Sequence, residues 1–214
     1  MRIPSRSLSP NGWCGASFVL RYWFVLLAVA FLFTFGSPTD AMAQTYRGKV
    51  VDAETGQPLE GAVFVIVWNK KTAISMNGSR SFHSAKEALT DAKGEFSVNG
   101  SPGIDWNPFT YVLGDPRIVI YMPDYGPFPV GHLKAMPLVE MIKAIDETIK
   151  AMTGAGAIIK LPKLKTQQEL RQYTFPGHLH ISATVPYEEM PNLIRLINIH
   201  NKLAAVPPLE TPAR

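Results

Sequence analysis

His178 and His180 are the side chains whose type and spacing come nearest to a chemical site. On a strand, residues two apart project from one face, so both imidazoles could reach one ion. Zinc chemistry needs at least a third protein ligand. His83, His132, His200 or an acidic residue would have to supply it from elsewhere in the chain. Cys14, the single cysteine, lies before a long apolar run and is not a candidate. No carboxylate stands beside the histidine pair as a general base, and Phe175-Pro176-Gly177 ahead of it provides a bend but no cavity. Serine-hydrolase, zinc-protease, phosphate-loop and dinucleotide signatures are all missing from the sequence. Asp146-Glu147 and Glu188-Glu189 are adjacent carboxylates, which face apart on a helix. No catalytic residue, cofactor or metal is therefore assigned. The histidine pair reads as a surface or loop pair, and a metal-dependent hydrolase is the alternative.

Aromatic residues offer a second kind of chemistry, that of binding. Residues 99–115, NGSPGIDWNPFTYVLGD, read as a long Gly- and Pro-rich loop carrying Trp106, Phe109 and Tyr111. Long loops often carry binding surfaces. Their large apolar area equally suits a cap over the end of a core, and that reading is preferred.

The elements that would position these residues are mostly strands. Residues 46–51 have strand character, and the turn residues of DAETGQP break the run. AVFVIVW at 62–68 is almost continuously apolar, as expected of a strand covered on both faces. EALT and EFSV flank Asp91-Ala92-Lys93-Gly94, which predicts a hairpin. Residues 69–85 read as a polar loop, with at most a short strand inside it. PRIVIYM at 116–122 predicts a strand with Ile118 and Ile120 on one face and Val119 and Tyr121 on the other. The expected core is Val50, Val63, Val65, Val67, Leu89, Phe96, Val98, Ile118 and Ile120, in a pair of antiparallel sheets.

GKVVDAETGQPLEGAVFVI followed by TDAKGEFSV resembles the carboxypeptidase regulatory-like domain. Gly48, Val50, Asp52, Gly56, Pro58, Leu59, Gly61, Ala62, Thr90, Asp91, Gly94 and Phe96 carry the resemblance, which spans residues 46–125. It implies a mainly β chain, an antiparallel transthyretin-like or Ig-like β-sandwich with added helices. It implies no catalytic residues.

Apolar residues three and four apart predict a helix over 137–152. It should lie on the sandwich through Met141, Ile142, Ile145 and Ile149. An edge strand is expected over 156–164. Thr166 and Glu169 form a capping box for a short helix over 167–173. Residues 177–183 suit another short strand, and a last helix should end at Leu203. Residues 206–214 read as a loose tail.

Residues 1–43 read as a signal peptide. Arg2, Arg6 and Arg21 supply charge, YWFVLLAVAFLFTF is apolar, and Ala41-Met42-Ala43 suits cleavage before Gln44. Removing this segment would take the formal charge from +4 to +2, too little for a nucleic-acid binder. The expected organisation is a signal peptide at 1–43, a sandwich at 44–165 including the 137–152 helix, and a C-terminal extension at 166–214. The functional expectation is a non-catalytic module, exported to the periplasm or beyond, with a binding, accessory or structural role in the cell envelope. Its partner would be an unknown protein or glycan. Membrane contact is expected only if the N-terminal segment is retained as an anchor, which would make the chain a tethered envelope protein.

Overall fold

Strand residues 63–68 alternate between two faces and are apolar on both, so each face needs its own cover. The computed structural model, which describes residues 44–72, 80–103, 105–130, 137–174 and 185–209, supplies both. The elements run β1 (Thr45–Asp52), β2 (Val63–Thr72), β3 (Arg80–Leu89), β4 (Glu95–Asn99), β5 (Thr110–Val112), β6 (Arg117–Tyr121), α1 (Leu138–Thr153), β7 (Ala157–Leu161), α2 (Gln167–Gln172) and α3 (Pro191–Leu203), with a 3-10 turn at Tyr187–Glu189 before α3. The fold is β-rich: two antiparallel-rich sheets and, among the described residues, three α-helices.

One sheet has the order β4-β1-β7. The other has β2 at its centre, with β3 along one side and β6 and then β5 along the other. Phe64, Ile66, Trp68, Ile118 and Ile120 of this second sheet meet Tyr46, Val50, Phe96, Val98, Ile159 and Leu161 of the first in one core. Phe64 and Phe96 stack with ring centroids 4.5 Å apart. On its other face, Val63, Val65, Val67, Val119 and Tyr121 pack against Leu193, Ile194, Leu196 and Ile197 of α3. The expected opposition of Ile118 and Ile120 to Val119 and Tyr121 is thus present.

Glu87 on β3 holds α3 in place. One carboxylate oxygen accepts from the Asn192 backbone N–H and side-chain amide, both at 2.7 Å, and the other from Leu193 N–H at 3.1 Å. A carboxylate on the free amides of a helix N-terminus satisfies donors that have no partner within the helix. Residues 166–209 belong to the same compact unit as the sheets. The capping box of α2 is present, with Thr166 accepting from Glu169 N–H.

Several expectations need correction. The DAKG turn does not make a hairpin: β3 and β4 lie in different sheets, and the turn carries the chain across from one to the other. Thr90 explains this. Its hydroxyl donates to the Leu59 carbonyl at 2.6 Å and accepts from Ala62 N–H at 2.9 Å, so the chain is pinned at the corner. Gly94 sits at positive φ, where a Cβ would lie 2.4 Å from the Val50 carbonyl oxygen, so glycine is required there. Leu89, placed in the core from sequence, is 39% exposed because it ends the edge strand β3. The pairing is not wholly antiparallel, since β7 runs parallel to β1. Residues 69–72 and 80–85 belong to strands, because the β2–β3 pairing extends to Lys71 and Arg80. The described part of the tail is tied back: Leu209 N–H donates to the Asn198 side chain at 2.7 Å. Helix α1 docks by its C-terminal end, where Met152 is buried and Ile149 packs on the core, while Ile142 is 51% exposed. The expected strand over 177–183 and the segment 1–43 lie outside the described residues.

Phe96→Ala should cost about 3–5 kcal/mol, because it removes a ring from the contact between the sheets. Urea unfolding of the variant measures this, and an unchanged midpoint would contradict its place in the core.

Candidate binding surface

Strand β2 is longer than the layers that cover it. Its last residues, Lys70–Thr72, pair with β5 rather than β6. Strand β5 therefore fixes one end of the 99–115 segment to the sheet, and the Leu113 N–H bond to the Asn69 carbonyl, 2.8 Å, extends that attachment. The segment is less of a loop than its composition implies.

Within it, side chains take over the backbone donors. Asp105 accepts from Asn107 N–H at 3.2 Å, and Asn107 from Phe109 N–H at 3.0 Å. These are successive Asx turns, in which a short polar side chain bonds the backbone two residues on. The other oxygen of Asp105 accepts from the Thr110 hydroxyl and lies 3.6 Å from Lys70 Nζ. The Thr110 hydrogen bond, with the Asn107 amide next and Lys70 and His83 also contributing, holds the Asp105 carboxyl below its ordinary range.

His83 reaches this neighbourhood through an irregularity. Trp68 pairs with Ser84 and Asn69 with Phe82, so His83 is the extra residue of a β-bulge. Its Nε2 is buried without a hydrogen-bond partner among the described residues. Sequence reasoning missed Asp105 and Lys70 as anchors, and named His83 only as a possible third ligand for a metal. The D-x-N spacing was the one available signal for Asp105; the bulge left none.

The consequence of this anchoring is a tied-down segment whose aromatic side chains face solvent. Trp106 is 86% exposed, Phe109 57% and Tyr111 50%. They do not cap the core, as preferred from sequence, because Tyr46, Val98 and Trp68 already fill it. A half-exposed or largely exposed aromatic trio on a tied-down segment can stack against a flat apolar face.

Other polar groups have structural duties. Asp52 accepts from the amides of Glu54 and Thr55, at 2.8 and 2.9 Å, and from the Tyr125 hydroxyl at 3.0 Å. The Thr55 amide, followed by that of Glu54, lowers its pKa. Burial, and then the bond to Asp52, pushes Tyr125 up to about 12. His200, a candidate third ligand, is fully buried, with Nε2 2.9 Å from the Leu170 carbonyl. His178, His180 and His132 lie outside the described residues. A concavity of about 820 Å³ lies over the β4-β1-β7 sheet and mixes Arg47, Lys49, Asp91 and Glu95 with Ser97 and Ile158.

No protein-family model matches the chain, no curated protein is similar to it, and no solved structure matches its fold.

The pH dependence of the anchor has a defined sign. A carboxyl with a depressed folded pKa contributes stability above its unfolded value, about 3.9, and loses it as pH falls through the folded one. Hydrogen-exchange protection at Phe109 and Thr110 should therefore fall on acidification below about pH 4. Asp105→Asn should show the same loss at neutral pH, and unchanged protection in that variant would rule out an electrostatic anchor.

Proposed function

We propose that this chain is a non-catalytic, exported β-sandwich module that binds a glycan through residues 105–112. The observation that carries the reading is the exposure of Trp106, Phe109 and Tyr111 on a segment anchored by Asp105, Thr110 and Lys70. Sugar rings present flat C–H faces that suit such a platform. Exposing three large aromatic side chains in this position has no structural return for the free protein.

The sandwich is read as transthyretin-like, of the carboxypeptidase regulatory-like kind. Its support lies in what the motif residues do. Asp52 closes the turn after β1, Thr90 pins the corner before β4, and Gly94 passes close under Val50. Gly48 lies where a Cβ would come 2.7 Å from the Ala157 carbonyl oxygen, so the motif glycine admits β7 beside β1.

A protein partner is the second reading. Leu138, Val139 and Ile142 are exposed on the first half of α1, an apolar surface of a kind that partners cover.

Export rests on the charged and apolar pattern of residues 1–43. Among the described residues no helix is long and apolar enough to cross a membrane. Mass spectrometry of the protein recovered from its own cells should find Gln44 at the N-terminus. A chain beginning at Met1 would favour the tethered alternative.

The binding surface is tested by affinity electrophoresis through gels containing soluble polysaccharides. Trp106→Ala and Phe109→Ala should each weaken retardation about tenfold, a loss of about 1.4 kcal/mol. Stability should change by less than about 0.5 kcal/mol, since both side chains are exposed. Equal retardation of variants and wild type on every retarding polymer would reject this surface.

A further inference from the structure

The register around Lys71 carries an inference that depends on the binding reading and sharpens it. Lys71 of β2 stands directly opposite Arg80 of β3 on one side and Tyr111 of β5 on the other. Directly opposed residues project from the same face of a sheet. The row Arg80–Lys71–Tyr111 therefore places two cations and a half-exposed phenol side by side at the open end of the sheet. Lys70, the next residue back, points to the opposite face and is matched by Asp105. Among the described residues no carboxylate forms an ion pair with Lys71 or Arg80.

Like charges directly opposed across a strand pair are destabilising. Here they stand beside the exposed aromatics, since Trp106 and Phe109 lie on the short segment that leads into Tyr111. An anion bound across the row would relieve the repulsion, and Arg80 offers a planar fork suited to a carboxylate.

We propose that the ligand is an acidic polysaccharide, with sugar faces stacked on the aromatic residues and carboxylates held by Lys71 and Arg80. An acidic peptide would satisfy the cations but has no succession of flat ring faces for the aromatics. A nucleic acid would call for a wider basic stripe than two side chains.

Gel retardation with polygalacturonate, compared with its fully methyl-esterified form, tests the assignment. The purified wild type should bind the acid form about tenfold more tightly. Binding to the acid form should weaken on the order of tenfold between 50 and 200 mM salt, as expected for two neutralised charges. Lys71→Gln/Arg80→Gln should bind both polymers alike, with a melting temperature equal to or above that of the wild type because a repulsion has been removed. Arg80→Gln alone, at an exposed position, should give an intermediate preference and guards against a fold defect in the double variant. Trp106→Ala should weaken binding to both polymers. Wild-type binding that is equal for the two polymers overturns the acidic assignment while leaving the aromatic surface standing. Binding of polyglutamate or single-stranded DNA as tight as that of polygalacturonate overturns the sugar assignment. Unaltered preference in the double variant overturns the role of the row, and no retardation by any polymer overturns both readings.

Discussion

A strand that is apolar on both faces cannot be left half covered, and β2 is such a strand. Phe64, Ile66 and Trp68 look toward one sheet, and Val63, Val65 and Val67 toward α3. Fully burying one side chain of this size contributes on the order of 1.5–3 kcal/mol, so neither cover is dispensable in a domain of ordinary stability. The first sheet, the corner at Thr90, and the Glu87 hold on α3 all serve this constraint. The exposed aromatic surface does too, in an indirect way. It occupies the stretch of β2 that runs beyond its covers, where the same strand turns polar at Lys70, Lys71 and Thr72.

The sequence was most legible where local chemistry and burial agree. Residues 62–68 read as a doubly covered strand, and they are. The span of α1, the capping box of α2 and the C-terminal end of α3 were readable from local signals, though the stripe of α1 is covered only at its C-terminal end. Reading failed where a tertiary constraint overrides a local one. EALTDAKGEFSV has the alternation and turn of a hairpin, yet Thr90 commits its hydroxyl to Leu59 and Ala62, 31 and 28 residues away. A turn motif states how tightly the chain reverses, but not which sheet receives the returning strand. Likewise β7 pairs in parallel with β1, a partner about a hundred residues earlier that no local pattern specifies.

The aromatic surface was legible by composition but not by state. Trp106, Phe109 and Tyr111 stood out in sequence, and either side of the protein boundary could have received them. Their exposure is decided by Asp105, whose partners Lys70 and Thr110 lie on two different strands. The Arg80–Lys71–Tyr111 row was hidden for a similar reason. It exists only in the register of three strands, and residues 69–85 had read as a polar loop because charged residues at a strand end resemble loop composition.

The position of α3 along the chain has a consequence for how the protein is made. The partners of Val63, Val65 and Val67 belong to residues 185–209, and the neighbour of β1 on one side belongs to β7. A chain emerging from its N-terminus therefore displays an aliphatic strand face for most of its synthesis, with nothing yet available to hide it. Distant pairings of this kind are slow to form, and exposed strands are prone to wrong association while they wait. That face closes only after the last helix has arrived, so the fold is completed late rather than strand by strand.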